Sequence, residues 1–310
     1  MSLSWLLAPQ DPRTERGQTG RSINLTLTTR GLTALGKVGL REEVEKRGVR
    51  LNGRVLHNPG REPEFVAYGP DPELHYLLSV PRPELNRVLM EAAEAEENVT
   101  CFFDRKLLDV DLPPMPARPT GSSDTHTTLV FRNMNADESG SSPDPTVRRV
   151  VKAVLGCDGM FSRVRAAIQR KQPRFNFSQQ FIPAGYKELS IPPRPLGKGR
   201  DRWRLDPNAL HLWPRGQFMM IAQPNHDGSF SCTLFMPFLR EHSPTGAFDM
   251  LNTEDDVLSF FRCVHKGQRC CAWSVGRARE RAPNVCVDAC RKHFSDAIEL
   301  LPTLLTDWFA

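Results

Sequence analysis

Strand-like and helix-like hydrophobic patterns alternate along the first half of the chain. Val150-Val151-Lys152-Ala153-Val154-Leu155 is an apolar run rich in β-branched residues, of strand length, and is closed by Gly156 and Gly159. Ser162 then stands as an N-cap before Arg163-Val164-Arg165-Ala166-Ala167-Ile168, so the string VLGCDGMFSRVR predicts a buried strand turning into a helix. Thr29 to Arg47 carries Leu32, Leu35, Val38 and Leu40 as an apolar stripe and predicts one helix. VRLNGRVLHNPGREPEFVAYG alternates around an Asn-Pro-Gly turn and predicts a hairpin. YLLSV predicts a strand, and Pro81 to Glu96 a helix with Leu85, Val88 and Leu89 on one side. NVTCFF, TTLVFR and RRVVKAVLG predict three further strands. The stretches LPPMPARPTGSSDTH and NMNADESGSSPDP have the composition of mobile surface loops.

From about Pro173 the pattern changes. ALHLW, FMMIAQP and FSCTLFMPF predict three strands joined by Pro-Arg-Gly and Asn-His-Asp-Gly turns. That spacing favours an antiparallel meander with one face packed and the other free to line a cavity. Phe218, Met219, Met220, Phe235, Met236 and Phe238 read as core by pattern alone. EDDVLSFF and SDAIELLPTLLTDWF predict helices. Together these elements indicate an α/β domain joined to a mostly antiparallel one.

Composition narrows the function classes. The 310 residues suffice for one large or two ordinary domains, and a net charge of +5 without a basic stripe argues against a nucleic-acid surface. No apolar run approaches the ~18 residues needed to span a bilayer, and MSLSWLLAPQ lacks the charged start of a signal peptide. Cys101, Cys157 and Cys232 sit singly in apolar contexts, where cysteine is usually a small buried hydrophobe. Cys263, Cys270, Cys271, Cys286 and Cys290 crowd into one segment without zinc-finger spacing or a CxxC pair, so no metal is assigned.

The turn at Asp158 and Gly159 raises the first chemical question. A strand entering a helix through glycines gathers backbone N–H groups at the positive end of the helix dipole, where a phosphate would bind. Asp158 would accept hydrogen bonds from a ribose or order the loop itself. On spacing alone an ordinary strand–turn–helix corner is the favoured reading, since short motifs often match by chance.

Longer strings are more specific. GRSINLTLTTRG, LLSVPRPELN, VLGCDGMFSRVR, FIPAGYKELSIPP and LHLWPRGQFMMIAQPNHDGSFSCTLFMPF resemble, in order, successive segments of the kynurenine 3-monooxygenase family of FAD-dependent aromatic hydroxylases. The resemblance covers most of residues 11–262 and resumes at KHFSDAIELLP. It implies an α/β fold: a truncated, Rossmann-like FAD-binding domain over 11–173 and a mostly antiparallel β-sheet substrate domain over 174–310, to which a hairpin at 50–78 contributes. It further implies NADPH-driven insertion of one atom of O2 into the ring of L-kynurenine, giving 3-hydroxykynurenine on the route from tryptophan towards NAD. The flavin carries that chemistry, so no catalytic side chain is required.

Carried over residue by residue, the resemblance places Arg21, Thr26, Arg82, Leu107, Asp158 and Gly159 along the FAD. Guanidinium groups suit a pyrophosphate because their donors form a fixed fork. Arg54 and Tyr68 match the residues that hold the amino-acid carboxylate, and Leu210, Met219, Ile221 and Phe235 those that line the aromatic pocket. Gln223 stands where the family has an apolar residue, which alters the pocket floor. The family also implies the mitochondrial outer membrane, reached through a C-terminal anchor that this sequence does not contain.

The sequence holds no G-x-G-x-x-G turn and no GDAAH string. The expectation is therefore an internal portion of such an enzyme, with a chain unable to hold FAD as the alternative and a phenol-type flavin hydroxylase as a second. Residues 263–290 match nothing in the family and show neither apolar period. They are expected to be an aberrant insertion: Arg262-Cys263-Val264 is codable as a splice donor and Ala289-Cys290-Arg291 as an acceptor, as in a retained intron.

Overall fold

The structure, a computed structural model, describes residues 4–8, 11, 13–14, 23–113, 126–134, 146–172, 174–195, 199–243 and 246–265. Most of both expected surface loops, the helix over SDAIELLPTLLTDWF and nearly all of the 263–290 segment lie outside these residues. In chain order the first elements are β1 (Ser4–Leu7), β2 (Asn24–Leu27), α1 (Thr29–Lys37), α2 (Arg41–Glu45), β3 (Val49–Leu51), β4 (Gly53–Leu56), β5 (Glu64–Ala67), β6 (Leu77–Pro81) and α3 (Arg82–Glu94). After them come β7 (Val99–Phe102), β8 (Arg105–Asp111), β9 (Thr127–Asn133), β10 (Thr146–Val151) and α4 (Arg163–Lys171). The last are β11 (Ala184–Ile191), β12 (Ala209–Arg215), β13 (Phe218–Pro224), β14 (Phe230–Pro237) and α5 (Glu254–His265). The fold is mixed α/β with mostly antiparallel sheets.

The chain divides into two compact units, Met1–Gly20 with Leu89–Gln180, and Arg21–Val88 with Phe181–Ala310. In the first unit β1 runs parallel to β7, and β10-β9-β8 form an antiparallel sheet. Helix α4 lays Val164 and Ala167 on Val110, Leu129 and Phe131 to make this unit's core. In the second unit β2-β6-β3 form a small antiparallel sheet. Its buried Leu78 and Val80 pack with Leu32, Leu35, Val44 and Val88 from the helices. The largest sheet, ordered β11-β14-β13-β12-β4-β5, also belongs to this unit. Its period-2 alternation buries Trp213, Phe218, Met220, Phe230, Leu234 and Met236 against Val257, Phe260 and Phe261 of α5. Thr253 starts that helix with a reciprocal cap: its Oγ1 accepts from the Asp256 amide, and its own amide donates to the Asp256 carboxylate.

Several expectations are corrected. The stretch from Thr29 to Arg47 is two helices, because Gly39 adopts φ +73° and ends the first. There the Leu40 amide donates to the Leu35 carbonyl and the Gly39 amide to that of Gly36, the paired bonds of a Schellman motif. The strand expected to reach Leu155 stops at Val151, which pairs with Thr127, the first residue of β9. Past that point no ladder continues, so Leu155 is 91% exposed and Cys157 is exposed rather than buried. The expected hairpin holds for β4 and β5, but β3 pairs with β6 in the other sheet. Strands β1, β2, β8 and β11 were not predicted. In β8 the charged Arg105, Lys106, Asp109 and Asp111 outnumber the apolar residues, and a register shift between Leu107 and Asp109 breaks the alternation.

The meander matches its prediction. Arg215 pairs with Phe218 across the two-residue turn Gly216-Gln217, and Gly216 has φ +72°, as the first position of a type II′ turn requires.

Candidate functional site

Register decides which side chains share a face, since residues directly paired across strands point the same way. Met219 pairs with Phe235, and Ile221 with Thr233. Leu212 pairs with Ile221, Leu210 with Arg54, and Arg54 with Val66. Arg54, Leu210, Met219, Ile221 and Phe235 therefore stand on one face of the six-stranded sheet, opposite the face that α5 covers. Leu210, Met219 and Ile221 are half-buried, while Arg54 and Phe235 are exposed. Of the six aromatic and methionine residues that read as core, Phe218, Met220 and Met236 are buried, Met219 and Phe235 lie on this second face, and Phe238, just past β14, is exposed.

Tyr68 follows β5 by one residue, and its amide donates to the Asn52 carbonyl. Its hydroxyl oxygen is buried and has no hydrogen-bond partner among the described residues. Burial pushes the phenol pKa up, and the nearby Arg54 charge pulls the other way without cancelling it. The phenol therefore stays neutral and keeps its proton as a donor.

The polar end of this face is Gln223, which is buried and whose Nε2 donates to the Thr26 hydroxyl of β2. A second polar link lies beside it. Asn24 donates to Ser79 at 3.0 Å and to Asn225 Oδ1 at 2.7 Å, and Ser79 donates to the Pro224 carbonyl at 3.1 Å. Thr26 itself pairs with Ser79 in the small sheet. Arg82, exposed at the start of α3, donates its backbone amide to the Ile23 carbonyl just before β2. Arg21 lies outside the described residues.

The remaining cofactor-assigned residues belong to the other unit. Leu107 packs beside the core of that unit. Asp158 orders its own loop: Oδ1 accepts from the Ser162 hydroxyl at 2.6 Å, and Oδ2 from the amides of Arg163 at 2.6 Å and Val164 at 3.2 Å. Ser162 Oγ, the expected N-cap, accepts from the Arg165 amide at 2.9 Å. Burial opposes ionisation of Asp158, but these hydrogen bonds outweigh it and hold the carboxyl below its usual range. The first-turn amides of α4 are thus engaged by the protein's own side chains. Gly159, at φ +74° with open space where a Cβ would be, leaves room above the turn.

A feature not predicted from sequence sits on the packed side of the large sheet. The His57 and His211 rings meet at 2.9 Å between Nε2 and Nδ1, and His211 Nε2 lies 2.9 Å from the Asp206 carbonyl. A carbonyl can only accept, so His211 carries its proton on Nε2 and His57 donates to its Nδ1. His57 also stacks on Trp213 with ring centroids 4.3 Å apart, and Arg215 reaches the His57 carbonyl at 2.7 Å. Burial, the largest influence, pushes the His211 pKa down despite the neighbouring Asp206. This chain of contacts joins β4, which carries Arg54, to β12, which carries Leu210. Among the described residues no cluster suited to a metal ion occurs, and no helix is long and apolar enough to cross a membrane.

No family model matches the chain. It is 38% identical over 255 residues to the kynurenine 3-monooxygenase of Sus scrofa, covering 82% of this chain and 46% of that protein. The enzyme of the same name from Anopheles gambiae is 35% identical over 307 residues, covering 97% of this chain and 50% of its own. The chain thus spans about half the length of the curated relatives it matches. Among solved structures, PqsL, a probable FAD-dependent monooxygenase from Pseudomonas aeruginosa, superposes with a TM-score of 0.55 at 16% identity. That match covers 86% of this chain and 67% of PqsL. The flavin-dependent monooxygenase PieE, solved with FAD and substrate, gives 0.57 at 12% identity over 86% of this chain and 47% of its own. At these identities the structural matches establish a shared fold.

Proposed function

Since the chain belongs to the kynurenine 3-monooxygenase family, over the half of the relatives' length that it spans, we propose that it serves the FAD- and NADPH-dependent hydroxylation of L-kynurenine to 3-hydroxykynurenine. The observation that carries this reading is the shared face of the six-stranded sheet. There Arg54 shares a face with the half-buried Leu210, Met219 and Ile221, and the adjacent strand β5 leads into Tyr68, whose hydroxyl has no partner among the described residues. Arg54 holds the amino-acid carboxylate through a charge-assisted contact, and Tyr68 donates to it from a neutral phenol. Leu210, Met219, Ile221 and Phe235 bound the aromatic ring and keep water from it.

FAD, when bound, supplies the reduction of O2 and the transfer of one oxygen atom to the ring. Residues of this chain suit its periphery: Arg82 offers an exposed guanidinium, Thr26 lies beside Gln223, and Gly159 leaves open space above its turn. Arg21, Leu107 and Asp158 complete the proposed contacts. Family membership supports the same route from tryptophan towards NAD, and the mitochondrial outer membrane as its location.

One observation favours a second reading, in which the chain binds kynurenine but not FAD: the α4 amides that would meet a pyrophosphate already bind Asp158 and Ser162. A phenol-type hydroxylase has less support, because a phenol gives Arg54 and Tyr68 no carboxylate to hold. The experiment is to purify the 310-residue chain, titrate it with FAD, and follow flavin absorbance and fluorescence on adding L-kynurenine. A saturable flavin signal that kynurenine perturbs supports the proposal. Kynurenine binding without any flavin signal supports the second reading, and a chain that binds neither rules out both.

A further inference from the structure

Gln223 ends the row of Met219 and Ile221 along β13 with a polar side chain. Its residue is 5% exposed, and it pairs with Ser231 on β14. Continuing the register of His211 with Ala222 by one residue sets Leu210 opposite Gln223, and Leu210 pairs with Arg54. Gln223, Leu210 and Arg54 therefore occupy one row across three adjacent strands. At roughly 4.8 Å per strand, the ends of that row are about 10 Å apart.

The carboxamide is held by one end. Its Nε2 donates to Thr26 Oγ1, and no donor among the described residues is bonded to its Oε1. Oε1 is not fully buried, since it is not among the buried side-chain atoms that lack a partner in the described residues, and this acceptor is open to a ligand that carries a donor. A tether between β2 and β13 does not by itself account for the glutamine. The Asn24, Ser79, Pro224 and Asn225 contacts already join the same two sheets one step along.

We propose that Gln223 is a specificity-determining residue whose Oε1 accepts a hydrogen bond from a donor on the aromatic part of the substrate, the ring amine in the case of kynurenine. The inference rests on the reading of this face as the substrate site. With the carboxylate at Arg54 and the ring over Leu210, the row spans an aryl amino acid of kynurenine's length and sets its ring substituents against Gln223. An apolar side chain at this position would pack the ring equally well but would not distinguish an amine from a hydrogen.

The test is isothermal titration calorimetry on the full 310-residue chain with two probes, L-kynurenine and its analogue lacking the ring amine. The unmodified chain is expected to bind kynurenine about tenfold more tightly than the analogue. Gln223→Met, which keeps the length and removes the amide, should bring the two within about twofold by weakening kynurenine. Gln223→Leu should do the same, and circular dichroism establishes that each variant is folded. Arg54→Ala should weaken both probes alike. Equal binding of the two probes by the unmodified chain overturns the role of Gln223 while the site reading stands, as does a preference that survives in folded Gln223→Met and Gln223→Leu. If neither probe binds the unmodified chain, the site reading fails and the inference fails with it.

Discussion

Arg54 and Tyr68 make different demands on the fold, so their substitution separates binding from stability. Arg54 is exposed, and replacing it with alanine removes a charged partner for the carboxylate without opening a cavity. A hydrogen bond to a charged group contributes about 1.5–3 kcal/mol. Arg54→Ala is therefore expected to weaken kynurenine binding about ten- to a hundredfold, with the melting temperature unchanged. Tyr68 has a buried hydroxyl that no described residue satisfies. Tyr68→Phe removes a desolvated polar group, so the free protein should melt at the same temperature or slightly higher, while kynurenine binds more weakly by about 1 kcal/mol. Calorimetric melting beside titration checks both, and a Phe variant that melts lower would place a partner on that hydroxyl. The six substrate-assigned positions come from the family resemblance and not from local pattern: alternation in FMMIAQP and FSCTLFMPF reads Met219 and Phe235 as core beside Phe218, Met220 and Met236, and only the register of the sheet sets them on the opposite face. The two histidines were not legible. His57 and His211 are 154 residues apart, and nothing local to either marks a partner.

Elements are joined at this site by groups that titrate. The bond from His57 to His211 spans the parallel pairing of β4 with β12, the least local contact in the large sheet. Burial depresses the folded-state pKa of His211 below its ordinary value of 6.5. Between those two values the unfolded chain binds more protons than the folded one, so stability rises with pH through that window. The contribution is complete above about pH 6.5 and is lost as the pH falls towards the depressed value. Urea unfolding from pH 7.5 down to about 5 should show this acid-side loss, and His211→Phe should flatten it. The variant should also cost about 1–3 kcal/mol at neutral pH, because the Asp206 carbonyl and His57 lose a buried partner. An unchanged acid-side slope in the variant would assign the loss to other groups. Element boundaries show why pattern reading stops where it does. Gly39 is a helix stop visible in the sequence, but the apolar stripe running through Val38 to Leu40 hid it. Strand β11 has no such excuse of composition: its pairing with β14 from Ala184 to Ile191 is a tertiary fact, set by residues some fifty positions away.

At the scale of the whole molecule, two units with separate cores follow from a chain path that local pattern does not encode. The strand pair β4 and β5, from near the start of the chain, completes a sheet whose other strands begin at Ala184, and the division between units falls inside α3. The cores differ in size. Among the described residues, five buried apolar residues form the centre of the unit containing α4, whereas fourteen, from the large sheet, α5 and Leu251 just before it, cluster in the other. Removing a buried phenylalanine ring costs about 3–5 kcal/mol, comparable to the total stability of a small domain. Phe131→Ala, at the centre of the smaller core, should therefore loosen its own unit and leave the substrate face intact. Phe230→Ala, fully buried in the larger core, should loosen the sheet that carries Arg54 and Leu210. Hydrogen-exchange mass spectrometry resolves the two, since amides report local opening in contiguous cooperative units. Phe131→Ala should accelerate exchange in β8, β9 and α4 with protection in β12 to β14 retained, and kynurenine should still bind. Equal acceleration in both units would show that they unfold as one cooperative body, whatever the separation of their cores.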